Sequence, residues 1–421
     1  MRKIARYFSL ALLVAVFSAC NVMDQKPYSA VLRSELSAED IPFLYTGLYN
    51  NAQYRPSENG YLQGDFCGGD FIINGTTTYD SAGQWIKSLV VPTSSYIHGP
   101  WNGYYACIYQ INEFIDLVAR QAYDPDYDAM VGTARFFRAL MYYNLITRWR
   151  EVPLLRHNTE EAVPASPEAT CWAFVEEDLQ AAVDACPDFT SKWYVSKQAA
   201  QALMARTLLA QGKKAEAAVY SEAVIASGLF ALDEVSKIFN GQDNTEEIFS
   251  FRNKKDENCV DFADNFYKAK PSYVPTTAMI NQYADGDKRK SVTIRNYDGT
   301  EVLGKYVNQG EEHHQLYIIR LAEMYLISAE GLGYDQGGLD RLNTLRDKRG
   351  LAAKTITDEE TMLKAVIYER RLELLGEGFR WFDLVRTGSS PASLGAKYTI
   401  LPVPSRELNL NHLLKQNDLW K

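Results

Sequence analysis

The sequence predicts a mostly α-helical fold in which about four tetratricopeptide-like helical hairpins are joined to a long irregular, loop-rich region with a few short β-hairpins. Three observations carry this. From Trp101 onward, apolar residues recur at helical spacing in paired segments. Within residues 196–230 the small residues Ala205 and Ala217 stand twelve apart, as close helix packing in a tetratricopeptide repeat requires. In residues 54–100 and 230–315, by contrast, Gly, Thr and polar residues interrupt every apolar run, and the pattern reads as loops and short strands.

At the start, Arg2, Lys3 and Arg6 precede the apolar run 7–17, which is followed by Ser18, Ala19 and Cys20. That is an export leader over 1–19, with an apolar segment far too short to span a bilayer. A cysteine directly after two small residues resembles a bacterial lipobox, which implies cleavage before Cys20 and acylation of its thiol. Residues 20–37 read as a spacer, and 38–421 as a single domain. A helix is predicted over 38–51, with Ile41, Leu44, Tyr45 and Leu48 on one face.

Residues 54–109 hold 11 aromatics, against 12% for the whole chain, an enrichment that needs a reason. Trp101, Tyr104 and Tyr105 share helical register with Ile108 and Ile115 and belong to the core. Tyr61, Phe66, Phe71, Tyr79, Trp85 and Tyr96 do not, and are expected on loops. The repeat helices occupy about 101–228 and 317–376. In the second of them Ala134, Phe137, Met141 and Leu145 form the buried stripe, with Asp128 as its cap. A Pro-punctuated connector over 151–167 leads to a helix capped by Ser166 with Pro167 in its first position. Residues 246–251 read as a strand, and 291–307 as a hairpin turning at Asp298 and Gly299 through a type I′ turn. Residues 398–420 are irregular.

Composition excludes several functions. With 46% hydrophobic residues the chain can bury a large core. Its formal charge of −9 becomes −12 without residues 1–19, which carry three cations and no acid, and an acidic surface repels nucleic acid. The five cysteines after Cys20 form no C-x-x-C pair, so no structural zinc site is indicated. Cys171 and Cys186 flank a predicted helix and are too far apart to bridge along it. Asp124, Asp126 and Asp128 alternate like an EF-hand start, but Ala129 and Arg135 stand where that loop needs Gly and Glu. The adjacent His313 and His314 cannot converge on one ion from a regular element. No nucleophile elbow, Walker loop or dinucleotide fingerprint occurs, and neither a catalytic residue, a metal nor a cofactor is expected.

The most informative stretch is 355–388. Thr357 and Glu360 form a capping box, and Leu363, Val366, Ile367 and Leu374 repeat at helical spacing before Gly376 and Gly378 break the helix. Arg370 falls on the apolar stripe and must find a carboxylate, so Glu369, Glu373 and Asp383 read as an ionised structural lock sandwiched by Phe379, Trp381 and Phe382. The gapless run from Glu369 to Gly388, ERRLELLGEGFRWFDLVRTG, resembles the C-terminal motif of the SusD/RagB family of Bacteroidetes outer-membrane lipoproteins. RFFRALMYYNL, AAQALMARTLLAQGKKAEA, RLAEMYLISAE, LNTLRDKRG and ILPVPSRELNLN look like further blocks of that family in its order. The resemblance implies a nutrient-binding protein held at the outer membrane through Cys20 and facing outward. Its partners would be a glycan or oligosaccharide ligand and a SusC-type TonB-dependent transporter.

A sugar's C–H face stacks on aromatic rings while Asp, Asn and Arg take its hydroxyls. Two loop stretches supply such groups: Asp65, Asp70, Asn74, Tyr79 and Trp85 before the repeats, and Phe266, Tyr267 and Tyr273 within 262–273. Trp85 and Tyr79 fit equally a cover over the repeat core. Two other functions stay open at this level: an exported carbohydrate hydrolase, which needs two opposed carboxylates, and an assembly scaffold that grips protein.

Overall fold

A computed structural model describes residues 36–421 except 76–81, 89, 309–313 and 336. The leader, the spacer with Cys20, and Tyr79 and His313 therefore lie outside the described residues. The principal helices are α1 (Ile41–Tyr54), α2 (Ser57–Phe66), α3 (Ala82–Ile86), α4 (Ser95–Val118), α5 (Pro125–Trp149), α6 (Glu168–Ala185), α7 (Lys197–Ala210), α8 (Lys214–Ala226), α9 (Leu321–Leu332), α10 (Gly338–Lys348), α11 (Glu359–Glu373) and α12 (Arg380–Arg386). Among the described residues, eight short strands pair as four antiparallel ribbons. They are β1 (Phe71–Ile73) with β5 (Tyr273–Pro275), β2 (Val152–Pro153) with β3 (Ala165–Ser166), β4 (Glu247–Phe251) with β8 (Leu316–Arg320), and β6 (Ile294–Tyr297) with β7 (Thr300–Leu303). Among the described residues no helix is long and apolar enough to cross a membrane.

From α4 to α8 each helix packs on its successor, and α8 packs on α9 although residues 227–320 separate them in sequence. The helical hairpins thus form one continuous row with the strand-bearing stretch inserted. Ala134, Phe137, Met141 and Leu145 are fully buried, as their spacing requires. Ala205, Ala217, Ser221 and Val224 are equally buried where α7 and α8 cross. The type I′ hairpin forms as expected, with φ of 50° at Asp298 and 82° at Gly299.

Several local expectations are corrected. Residues 54–100 hold α2, α3, β1 and the start of α4, so the stretch is not free loop. Helices shorter than three turns fit too few repeats for a period to show. The α5 cap is Asp124, whose carboxylate accepts from Asp126 N–H ahead of Pro125, while Asp128 accepts from the Tyr123 hydroxyl instead. The α11 cap is Asp358, accepting from Thr361 N–H, one residue beyond Thr357. Pro167, not Ser166, precedes α6, because Ser166 is taken by the β2–β3 ribbon. Leu316–Arg320 is a strand that leads into α9; its partner β4 is fully buried, so neither shows alternation. Cys67, Cys107, Cys171, Cys186 and Cys259 are all free thiols.

The 369–388 motif is the lock it resembles. Glu373 meets Arg289, Arg320 and Arg349, all buried. Burial pushes its pKa up, but Arg349, Arg320 and Arg289 together outweigh that and hold it well below the usual carboxylate range. Arg370 Nε donates to both Asp383 oxygens at 3.0 and 2.8 Å, and Arg386 binds the same carboxylate from the other side. The aromatic sandwich forms in part: the Arg370 and Arg206 guanidiniums lie 5.7 and 4.9 Å from the Phe379 ring centre and Arg148 lies 4.8 Å from that of Phe382, whereas Trp381 packs on Phe382 and donates its Nε1–H to Tyr398 C=O.

Candidate functional site

The two loop stretches singled out in the sequence come together. β1 pairs with β5, setting Ile73 opposite Tyr273, and Thr276 N–H donates to Asp70 C=O just beyond the ribbon. Asn74 extends the contact, its Nδ2 donating to Pro271 C=O at 3.1 Å. The side chains themselves point mostly inward, and the expectation of a free aromatic platform is corrected for five of the eight residues. Phe66, Phe71, Phe266 and Tyr273 form a buried aromatic cluster with ring centres 4.9 to 6.3 Å apart. Trp85 is 1% exposed. It covers the core beneath α3.

Asp65 and Asp70 are clasps. The Asp65 carboxylate accepts from the backbone N–H groups of Gly376 and Gly378, and the Asp70 carboxylate receives Arg371, with Arg380 at 3.6 Å. They bolt the loop layer onto the lock. Gly378, at φ 89°, lies so close to Tyr61 C=O that a Cβ has no room. Burial pushes the Asp65 carboxyl up to about 7, against the pull of the two N–H donors. Of the predicted residues, Asn74 and Tyr267 remain partly exposed. Tyr267 meets Tyr297 edge to face at 5.1 Å, with Arg295 at 5.9 Å from its ring centre.

The open hollow in this half of the molecule lies next to that layer. Its volume is about 380 Å³, and its walls are the α1–α2 corner, the first turns of α4 and residues 259–260. Tyr54, 46% exposed, stands at its edge with Arg55, Asn59 and Asn102. The corner is tight because Gly103 of α4 lies against Arg55 C=O where a Cβ would collide, and the Tyr104 hydroxyl donates to Gly60 C=O at 2.7 Å. Glu58 also lines the hollow. Burial pushes its carboxyl up to about 7; the Asp261 backbone N–H and the Asn265 amide that donate to it oppose, and the charges of Asp261 and Asp264 add to the rise.

A second hollow, of about 470 Å³, opens on the other side of residues 252–258. It is lined by Tyr45, Tyr49, Trp193 and Tyr194 together with Asn50, Arg252 and Glu257. The dividing ridge is held by Gln53 and Asn50 amides on Asn258 C=O, at 2.8 and 3.5 Å. Rings beside amides, a guanidinium and carboxylates suit a ligand with both apolar faces and hydroxyls. Among the described residues no group of three or more His, Cys, Asp or Glu side chains could hold a metal ion.

Two family models match in tandem: one described as "Starch-binding associating with outer membrane" over residues 22–209, and one described as "SusD family" over 197–400. The chain belongs to the SusD/RagB family. Its similarity to "SusD-like protein P38" of Formosa agariphila is 22% identity covering 99% of both chains. A SusD superfamily protein from Bacteroides thetaiotaomicron superposes with a TM-score of 0.80 at 22% identity, over 91% of this chain and 100% of that one. Surface glycan-binding protein A from Bacteroides thetaiotaomicron, in complex with laminarihexaose, gives 0.78 at 19% identity over 91% and 100%.

Sequence reasoning missed Tyr54, Asn102, Trp193 and Tyr194 in this SusD-family chain. Asn102 directly follows the buried Trp101, and a residue next to a core position on a helix faces away from it. Trp193 and Tyr194 were legible as adjacent aromatics in the short aperiodic link between α6 and α7.

Proposed function

We propose that this chain is a non-catalytic, surface-exposed lipoprotein, anchored through Cys20 in the outer membrane, that captures an oligosaccharide and delivers it to a SusC-type TonB-dependent transporter. The observation that carries this reading is the pair of hollows along α1. Half-exposed rings of Tyr54 and Tyr194 stand there beside amides and arginines. Asn74 and Tyr267 would extend contact along the neighbouring β1–β5 edge, and Tyr79 remains a proposed contact on sequence grounds. Family membership and the laminarihexaose complex of a similar fold support a glucan-like ligand.

Binding rather than hydrolysis fits the lining. Glu58 is the single carboxylate among the residues that line the smaller hollow, and glycoside hydrolysis works with two. Calorimetry of the wild type, Tyr54→Ala, Asn102→Ala, Tyr194→Ala and Tyr267→Ala against a panel of oligosaccharides, laminarihexaose included, tests the reading. At least one panel member should bind the wild type. The substitutions at Tyr54 and Asn102 should weaken it by roughly tenfold or more, in line with about 1–3 kcal/mol for a lost ring or hydrogen bond. Retention of full affinity in all four variants would move the site elsewhere.

A further inference from the structure

On the repeat side of the lock lies a hollow of about 200 Å³ between α5, α6, α7 and α12. Arg150, Arg206, Arg370 and Arg386 line it. A smaller hollow adjoins it, sharing Tyr143, Arg206, Phe379 and Phe382 and adding Arg148. Glu168 and Asp383 share the first lining and Glu377 the second, but Arg148 and Arg150 form no ion pair among the described residues. Arg206 is answered by Glu323, and Arg370 and Arg386 by Asp383 and Glu330. Arg148, 1% exposed, has no carboxylate among the described residues. It donates to Gln63, the Asn144 side chain and backbone, and Gly60 C=O, with the rings of Tyr104 and Phe382 beside it. Among the described residues Arg150 donates only to Thr399 C=O, at 3.3 Å.

A second observation is independent of that charge count. Arg370 is 3% exposed, and while its Nε is spent on Asp383, its Nη1 is buried with no hydrogen-bond partner among the described residues. An unanswered guanidinium donor in a protein interior costs free energy, and a buried cation without a counter-charge costs more. A hollow of this volume holds several waters or one small anion, since a water occupies about 30 Å³.

We infer that this arginine-lined hollow is a second ligand site that takes a small oxyanion, the carboxylate of an acidic sugar or a sulfate group. Arg370 Nη1 and Arg150 are its donors, and the Phe379 and Phe382 rings its apolar walls. The site is separate from the hollows along α1 and does not depend on their reading. An oxyanion there gives Arg370 Nη1 an acceptor and Arg150 an ion-pair partner, which neither has among the described residues.

The test uses the full chain in detergent, with sodium glucuronate and sodium sulfate titrated at constant ionic strength made up with chloride, and glucose as the uncharged control. Calorimetry and thermal unfolding read the result. The wild type should bind glucuronate or sulfate saturably and ignore glucose, and whichever anion binds identifies the source. Arg150→Gln, half-buried at the rim, should weaken that binding at least tenfold. Ala210→Trp, which fills the hollow from α7, should abolish it. Both variants should keep the wild-type response to any oligosaccharide that binds along α1. Absence of saturable binding of either anion to the wild type means the hollow holds water only and overturns the inference. Unchanged anion affinity in Arg150→Gln does the same, and that variant decides the matter even where Ala210→Trp fails to fold.

Discussion

Replacing Glu58 by glutamine makes the electrostatics of the α1 hollow measurable. The Glu58 carboxyl is raised from 4.5 to about 7, chiefly by burial, with the Asp261 backbone N–H opposing and the charges of Asp261 and Asp264 adding to the rise. In the unfolded chain it ionises near the lower value, and in the folded chain near the higher. Below pH of about 4.5 it is neutral in both states and costs the fold nothing. As pH rises toward about 7 the unfolded chain sheds the proton while the folded chain keeps it, so stability is lost through that window and is level above it. At 1.36 kcal/mol for each pH unit between the two values, the full loss is at most roughly 3 kcal/mol. The substituted amide carries no charge and can still accept from the Asn265 amide through its carbonyl oxygen. Urea unfolding of both proteins from pH about 4 to about 8 yields the difference in stability, from which Asp65 and every other shared group cancels. The variant should match the wild type at the acid end and exceed it by up to roughly 3 kcal/mol at the basic end. Parallel curves would show that Glu58 titrates normally, and the described burial of that corner would be refuted.

Other outcomes follow from the clasps and the core. Asp70→Asn leaves Arg371 and Arg380 without a counter-charge and should cost about 2–4 kcal/mol by urea unfolding, less than a fully buried pair because Arg371 is 23% exposed on its side chain. Gly378→Ala combines a φ of 89° with a Cβ against Tyr61 C=O; it should cost more than the roughly 1 kcal/mol of an unstrained change, and yield of folded protein would show it. Trp85→Ala should lower stability by about 3–5 kcal/mol as a core deletion, while Tyr54→Ala should change thermal stability little and oligosaccharide affinity more.

The helical row was legible because long helices display their period. Ala134, Phe137, Met141 and Leu145 span three turns of one helix and could only face inward together. The lock was legible for a related reason: an arginine on an apolar stripe requires a carboxylate within reach, and Asp383 supplies it. What the sequence could not separate was an aromatic that grips a ligand from one that fills a layer. Phe66, Phe71, Phe266 and Tyr273 lie on short elements whose partners are some 200 residues away, so their direction is set by the β1–β5 ribbon and not by any local period. Asp65 and Asp70 were misread for the same reason, because a loop carboxylate beside glycine looks alike whether it takes a sugar hydroxyl or the N–H of Gly376.

The distribution of buried charge explains why the fold tolerates so irregular a binding half. Arg289, Lys305, Arg320, Arg346 and Arg349 interlock with Glu246, Asp287, Glu369, Glu373 and Glu377, five cations with five carboxylates drawn from β8, α10, α11, the 280s loop and the residues that flank β4, β7, α10 and α11. Burial of such a network contributes little net stability, since desolvation offsets most of the Coulomb gain, yet removing any member leaves its partners uncompensated at roughly 3–5 kcal/mol. The lock therefore acts on geometry. It admits one arrangement of the inserted strands against the last repeat helices, and Asp65 and Asp70 pass that arrangement on to α2 and β1 through Gly376, Gly378 and Arg371. Tyr54 and Tyr194, half-exposed at the α1 hollows, lie outside the lock and its clasps, so ligand preference can change at these two rings without disturbing it.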